Sequence, residues 1–175
     1  MTTFDSYYDF LLEKCSDIVV DTNLLLLYIV GSHDISLIKN RSISRVSMFV
    51  PGEFLVLKYI IGSVKSIKIS TNIWTEICNF ADKRPKNNKI EDYYDTLVKM
   101  IKNYKEEYFS CFDICSKGHL KDFDLTDSTI IELAKDGCLV VTADKDLAEF
   151  LFSEKLNVIN WNKIKDKILS EYKQQ

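Results

Sequence analysis

The chain has 175 residues, 46% of them hydrophobic and 28% charged, which suits a single domain with one sizeable core and excludes disordered and fibrous classes. Only five Gly and two Pro occur, too few for the turn-dense ladder of an all-β sandwich. The formal net charge of -3 excludes a protein that coats nucleic acid by bulk electrostatics, so any nucleic-acid contact has to be local.

The N-terminal segment and the apolar runs indicate a cytoplasmic protein. Residues 1–17 carry acidic side chains and lack the basic region and small-residue cleavage site of a secretory signal. The longest apolar run, residues 24–30, is far shorter than the roughly 20 residues that cross a bilayer. The five cysteines are scattered without a CxxC pair, which favours reduced thiols that act mainly as small buried apolar groups.

The first part of the chain predicts a helix, a strand and a second helix. Residues 4–15 place apolar side chains at helical spacing, and the β-rich run 18–20 predicts a short strand that stops at Asp21. The Thr-Asn pair at 22–23 resembles a helix cap. The Leu-rich run 24–30 after it predicts a helix buried on nearly all sides.

The next elements lead to a second acidic position. A helix over residues 53–61 follows a Pro-Gly pair, and residues 64–70 alternate apolar and polar side chains in the manner of a short strand. The polar residues 70–72 supply cap candidates for a helix through residues 74–82. Glu76 falls in the second turn of that helix.

The second half repeats the strand-to-helix step. After the polar run 83–89, residues 92–109 predict one long helix. Residues 125–137 predict another, which begins with a Thr-Asp cap and ends at Gly137, a residue suited to the left-handed position after a helix. Two apolar strands, each followed by a helix, complete the chain: 138–142 and 156–160.

Apolar strands that are each followed by a helix indicate a parallel sheet covered on both faces. We therefore predict an α/β fold, a three-layer α/β/α sandwich with a mostly parallel central sheet. No repeat, linker or low-complexity tract divides the sequence, so residues 1–175 are predicted to form one domain.

Four acidic residues are predicted to meet at one edge of this sheet. Asp21 and Asp144 follow apolar strands, so both should project from the carboxyl edge, where ligands of such sheets collect. Glu76 and Asp127 lie near helix starts, and helices that follow parallel strands begin at the same edge. The four carboxylates are therefore expected to converge.

Convergence of these carboxylates implies a bound cation, because unpaired carboxylates repel one another. Ligands that are all oxygens favour a hard ion, Mg²⁺ or Mn²⁺. One or two such ions orient a water, lower its pKa and stabilise charge on a phosphoryl oxygen during in-line displacement. The pattern predicts phosphodiester hydrolysis without a covalent intermediate.

At this point the sequence resembles the PIN-domain family of metal-dependent nucleases. The resemblance spans roughly residues 17–165 and is carried, in order, by IVVDTNLLL, TEI, LTDSTIIELA and VVTADKDL. It implies that the catalytic and metal-binding residues are Asp21, Glu76, Asp127 and Asp144. It also implies supporting roles for Asn23 and Thr142, and it makes Asp146 an additional candidate ligand.

The same resemblance implies an endoribonuclease, similar to toxins of toxin-antitoxin systems or to other stress and defence nucleases. RNA is then the substrate and a protein inhibitor is a candidate partner. Two alternatives stay open: a catalytically weak PIN-like binding or scaffold module, and a PIN-type nuclease that acts on DNA. A homodimer is the base-rate expectation for a soluble oligomer.

Two segments depart from the smallest family members. The stretch between the first two acids is longer, with about residues 31–65 as an inserted loop or helix hairpin. Residues 1–16 add a helical extension, which is either a partner surface or a cover for a sheet edge. Neither departure removes an acidic position.

Several candidates have equally good structural explanations. Asp21 alone is explained as a helix cap, and Asp122 and Asp124 compete with Asp127 as the local acid. Asp146 would also stabilise a helix start through the helix dipole. Candidate phosphate-binding side chains, equally explained as solvated charge, are Lys65, Lys68, Lys83, Arg84, Lys86 and Lys145.

A zinc site is disfavoured. A helical face would be shared by Cys111, Cys115 and His119, which are spaced four apart. Gly118 interrupts that helix, however, and a fourth ligand is not evident.

Overall fold

The computed structural model describes residues 6–39, 44–81 and 91–172. Within these ranges the chain forms five strands: β1 (Asp17–Val20), β2 (Ser66–Ser70), β3 (Lys105–Glu107), β4 (Leu139–Thr142) and β5 (Val158–Asn160). The same ranges contain ten α-helices: α1 (Ser6–Lys14), α2 (Thr22–His33), α3 (Ile35–Lys39), α4 (Pro51–Gly62), α5 (Thr71–Ala81), α6 (Glu91–Asn103), α7 (Cys111–Ser116), α8 (Leu125–Lys135), α9 (Lys145–Ser153) and α10 (Trp161–Tyr172).

The strands form one parallel sheet in the order β3-β2-β1-β4-β5. β1 lies in the centre, where Ile18 pairs with Ile67 of β2 on one side and with Leu139 of β4 on the other. Parallel neighbours need crossover connections, and helices provide them here. The predicted three-layer α/β fold is confirmed.

The core surrounds the central strands, as their continuous apolar sequences predict. Residues 18–20 of β1 and 139–141 of β4 have no exposed surface. The leucines at 24–27 of α2 are at most 1% exposed, so this helix lies within the core. Across the described ranges, every helix is too short or too polar to span a lipid bilayer.

The edge strand β3 is the main difference from the sequence prediction. The pattern predicts one helix over 92–109, whereas α6 ends at Asn103 and the chain continues into β3. Lys105 pairs with Lys68 of β2, and Tyr104 stacks on Trp74 with ring centroids 6.2 Å apart. Pairing with an open sheet edge outweighs the helix propensity of Lys and Glu at this point.

The long segment between the first two acids is helical where it is described. It contains the end of α2, then α3, a 3₁₀ turn at Ser44–Val46 and α4. α4 is fixed by Glu53, whose fully buried carboxylate accepts hydrogen bonds from Val50 N–H at 2.8 Å and from Trp161 Nε1–H at 3.0 Å. This contact ties α4 to the start of α10, so α4 packs as part of the fold rather than as a loose insertion.

Candidate metal centre

Two of the four predicted acids follow neighbouring strands. Asp21 comes directly after β1, and Asp144 comes two residues after the end of β4. These strands pair in register, with Val20 opposite Val141. The Asp21 N–H donates to the Val141 carbonyl at 3.0 Å and extends the pairing by one residue. Both acids therefore lie at the carboxyl edge of the sheet.

Asp21 is the most rigidly held of the acids. Its side chain is 6% exposed, and both carboxylate oxygens accept hydrogen bonds. Oδ1 accepts from Leu24 N–H at 2.9 Å, which caps α2. Oδ2 accepts from the Thr142 hydroxyl at 2.7 Å and from Ala143 N–H at 2.6 Å. Burial raises the pKa of Asp21, and these donors oppose the shift.

Thr142 joins the first and last acidic positions. Besides donating to Asp21, its hydroxyl oxygen accepts a hydrogen bond from Asp144 N–H at 2.9 Å. Thr142 is fully buried. One hydroxyl thus fixes the relative positions of the backbone at Asp144 and the carboxylate of Asp21.

Glu76 reaches the site from a separate helix. It lies in the second turn of α5 and is half-buried. Its Oε2 accepts a hydrogen bond from the Thr22 hydroxyl at 2.5 Å. Because Thr22 directly follows Asp21 in the chain, this contact brings Glu76 alongside the first acidic position.

Asp127 lies in the first turn of α8 and is half-buried. The helix is capped by Asp124, whose Oδ1 accepts from Asp127 N–H at 2.9 Å, and not by the predicted Thr-Asp pair. Burial raises the pKa of Asp127 to about 7, and nearby carboxylates add to the shift. In decreasing order of effect, these carboxylates belong to Asp124, Asp144, Asp21 and Glu76. Asp127 therefore senses the charge of all three other predicted acids.

Asp144 is exposed and caps α9, with Oδ1 accepting from Leu147 N–H at 2.9 Å. Asp21 and Asp144 are therefore both helix caps. Capping is the structural role that the sequence predicts for Asp21 if it does not bind metal. Capping occupies one oxygen of each carboxylate, so it is compatible with a second role. The N-termini of α2, α8 and α9 all carry an acid, and their positive dipole ends offset part of its charge.

These four carboxylates lack a cationic partner within the described part of the chain, where the ion pairs involve other acids. In the same ranges, no three His, Cys, Asp or Glu side chains stand close enough to form a ready-made metal site. Ionised carboxylates repel at short range, and Asp21 and Asp144 are each directed to a helix N-terminus. The donors are all oxygens, which fits Mg²⁺ or Mn²⁺.

The predicted supporting residues differ in their placement. Thr142 contacts two acidic positions, as described above. Asn23 is exposed, and its side chain makes no hydrogen bond to the acids within the described ranges. The neighbouring Thr22 makes that contact instead, because a helix that starts at residue 22 turns Thr22 inwards and Asn23 outwards. Asp146 is exposed in the first turn of α9.

Of the candidate phosphate-binding lysines, those on or beside β2 are either paired with acids or distant from the carboxyl edge. Lys65 is exposed but precedes β2, at the sheet edge opposite the acids. Lys68 is 13% exposed and pairs with Asp17 at 3.6 Å and with Glu107 at 3.9 Å, so its charge is neutralised within the sheet. The structure lends no support to a phosphate contact by either lysine. The segment with Lys83, Arg84 and Lys86 lies outside the described residues.

Lys145 is the basic candidate nearest to an acid. It follows Asp144 directly and is 73% exposed. Its ammonium group lies 3.6 Å from the carboxylate of Glu149, one turn further along α9. Such an exposed pair is weak and exchanges easily with other anions.

The cysteines are all free, as predicted, but only Cys15 and Cys138 are buried. The expectation of mainly buried thiols is therefore wrong for Cys78, Cys111 and Cys115, which are exposed. His119 lies with Nε2 3.2 Å from a carboxylate oxygen of Glu132 on α8.

Comparison with known proteins leaves the PIN-domain resemblance at the level of these short motifs. No protein-family model and no curated protein matches the sequence.

Proposed function

We propose that this protein is a metal-dependent endoribonuclease in which Asp21, Glu76, Asp127 and Asp144 hold one or two Mg²⁺ or Mn²⁺ ions. One observation carries the proposal: four separate elements bring carboxylates to the carboxyl edge of a parallel sheet, and no described side chain neutralises them. Uncompensated charge of one sign costs stability, and such an arrangement is typical of functional sites.

Each acid contributes differently to such a site. Asp21 is held from both oxygens, so it fixes the position of the site and has little freedom to move. Glu76 is held through one oxygen only. Asp144 is the exposed acid, and it is the one that solvent or a substrate phosphate meets first.

A divalent ion, when bound, supplies Lewis-acid activation of the phosphodiester and of the attacking water. The protein supplies the donors and their orientation. Thr142 and the N–H of Ala143 orient Asp21 and favour its charged form against the effect of burial, because both donate to its Oδ2. Solvent exposure at Asp144 leaves room for an extended polymer substrate.

RNA is the substrate that the motif resemblance favours, and DNA shares the same chemistry. A cytoplasmic toxin, or another stress or defence nuclease with a protein inhibitor, is the biological setting in keeping with that resemblance. A homodimer is proposed on base rate alone.

The test is cleavage of labelled RNA and of single-stranded DNA, with Mn²⁺, with Mg²⁺ and with EDTA. The first variant is Asp21→Asn, at the buried acid that follows β1. The second is Asp144→Asn, because an exposed residue can be replaced with less risk of misfolding. Asp136→Asn is the matched control, since Asp136 is an exposed acid that ends α8 at the opposite side of the sheet.

We expect metal-dependent cleavage by wild type and Asp136→Asn, and none by the other two variants. The polymer that is cleaved decides between RNA and DNA. Cleavage by a folded Asp144→Asn variant at the wild-type rate would show that the proposed site is not the catalytic one.

A second candidate function is a catalytically weak binding module, and the hydrogen bonding of the Asp21 carboxylate favours it. Both of its oxygens already accept hydrogen bonds from the protein, so it offers fewer lone pairs to a cation than a free carboxylate does. Calorimetry separates the two: no heat of Mn²⁺ binding at millimolar concentration favours the module, whereas binding that is lost in Asp144→Asn favours the enzyme.

A further inference from the structure

The first turn of α2 carries a buried hydroxyl next to the acidic cluster. Thr22 is the first residue of the helix and is 6% exposed. Asp21 caps the same turn through Leu24 N–H. The position of the Thr22 side chain is therefore fixed by the end of β1 and by the helix cap, two of the most buried features of the fold.

The Thr22 hydroxyl makes one hydrogen bond within the described ranges, and its acceptor is Glu76 Oε2 at 2.5 Å. The two residues are 54 positions apart in the chain and belong to α2 and α5. A hydrogen bond from a hydroxyl to a carboxylate is charge-assisted, short and among the stronger types. Glu76 Oε1, by contrast, accepts no hydrogen bond from the described residues.

We infer that Thr22 is a positioning residue for Glu76: it holds Oε2 against α2 and leaves Oε1 as the oxygen that binds the cation. This inference rests on the proposed function. It explains why a helix-borne Glu, with three rotatable bonds, is placed beside the rigid Asp21. Outer partners that orient a metal ligand typically change metal affinity or activity by about 10-fold to 100-fold when they are removed.

A simpler role for Thr22 is to start α2 and fill a buried position. Two substitutions separate the roles. Thr22→Val keeps the branched shape and removes the hydroxyl, whereas Thr22→Ser keeps the hydroxyl and removes the methyl group. A role in packing predicts that Ser is the more damaging change, and a role in positioning predicts that Val is.

The first experiment is Mn²⁺ titration by calorimetry. We expect Thr22→Val to bind Mn²⁺ about 10-fold more weakly and Thr22→Ser to bind as wild type does. In a Glu76→Gln background, Thr22→Val should add no further loss, because the two residues act as one unit. Equal affinity in Thr22→Val and wild type, or the same 10-fold loss in both backgrounds, would overturn the inference.

The second experiment needs no metal and separates this inference from the proposed function. Crystal structures of metal-free wild type, Thr22→Val and Thr22→Ser show where the Glu76 carboxylate lies. We expect it against α2 in wild type and Thr22→Ser, and displaced in Thr22→Val. An unmoved Glu76 in Thr22→Val overturns the positioning role even if the wild type binds Mn²⁺; failure of the wild type to bind Mn²⁺ overturns the metal site, and with it the cation-binding role assigned to Oε1.

Discussion

Two groups of acidic residues lie on the same parallel sheet, and they differ in what neutralises them. Asp17 and Glu107 share Lys68, which lies 3.6 Å and 3.9 Å from them; we call these three residues the Lys68 cluster. A hydrogen bond from Ser66, helped by the charge of Lys68, holds the pKa of Asp17 below its usual value.

The carboxyl-edge acids, Asp21, Glu76, Asp127 and Asp144, have no such partner among the described side chains. Burial and neighbouring carboxylates raise the pKa of Asp127 to about 7. The fold therefore supplies a cation where acids serve structure and leaves one out where they are proposed to bind a ligand. Substitutions in either group test this difference.

Substitution of one carboxyl-edge acid should strongly reduce the cleavage rate and change the thermal stability little. Asp127→Asn removes a charge that the fold does not use in an ion pair, so cleavage is expected to fall on the order of 100-fold or more. The measurement is the cleavage rate with Mn²⁺, alongside a thermal melt. Asp136→Asn, at the other end of α8, serves as the control and should cleave normally.

Loss of the shared lysine should have the opposite outcome. Lys68→Met leaves Asp17 without an ion-pair partner and leaves Glu107 with Lys105 alone, so the free energy of unfolding is expected to fall by roughly 1–2 kcal/mol. Cleavage per folded molecule should not change. Urea unfolding and the cleavage rate together check this, and a stable variant with impaired cleavage would indicate that Lys68 contacts the substrate after all.

The two groups should also respond differently to pH. Folding raises the pKa of Asp127 from its ordinary value of 3.8 to about 7, so between these values the folded protein holds a proton that the unfolded chain has released. The free energy of unfolding of the metal-free protein should therefore decrease as pH rises from about 5 to about 8, by on the order of 1 kcal/mol once solvent screening is allowed for.

Urea midpoints across this range measure the effect, and Asp127→Asn should make the decrease smaller; the raised pKa of Asp21 leaves part of it in place. Asp17 has the opposite sign, since its lowered pKa contributes stability that is lost only as pH falls below the ordinary value of 3.8. If wild type and Asp127→Asn have the same pH profile, burial and the neighbouring carboxylates do not raise the pKa of Asp127.

The smallest effect concerns Lys145, which is 73% exposed and paired with an exposed Glu149. Lys145→Ala should change the free energy of unfolding by less than about 0.5 kcal/mol. If Lys145 contacts a substrate phosphate, KM for RNA should rise in Lys145→Ala. The slope of log KM against log salt concentration should also decrease by about 1, because one phosphate contact is lost. KM values at several salt concentrations check this, and an unaltered salt dependence would show that Lys145 does not contact the RNA phosphates.

The parts of the fold that the sequence predicted are those where burial is strongest. β1 and β4 are covered on both faces, so they are apolar without interruption until the polar residues that follow them. That interruption predicts that Asp21 and Asp144 lie at one edge of the sheet. The left-handed conformation expected at Gly137 is confirmed, with φ of 90°.

The parts that it missed depend on contacts between distant segments. β3 is strand because the edge of β2 is available to Lys105–Glu107, and nothing in its Lys-Glu-Glu sequence signals that partner. The motif resemblance implies Asn23, whereas Thr22 makes the contact, since the face that each residue presents depends on where α2 begins. From sequence alone Lys68 is a candidate phosphate contact or a solvated charge, because Asp17 and Glu107 are near it only in space.

We propose that the carboxyl edge, and not the Lys68 cluster, binds a divalent cation. The most direct test is Mn²⁺ titration followed by amide NMR, because the paramagnetic ion broadens signals close to it. We predict selective broadening at the first turns of α2, α8 and α9, little effect at Asp17 and Lys105, and loss of the effect in Asp127→Asn. Broadening centred on the Lys68 cluster, or none at all at millimolar Mn²⁺, would show that the carboxyl edge is not a cation site.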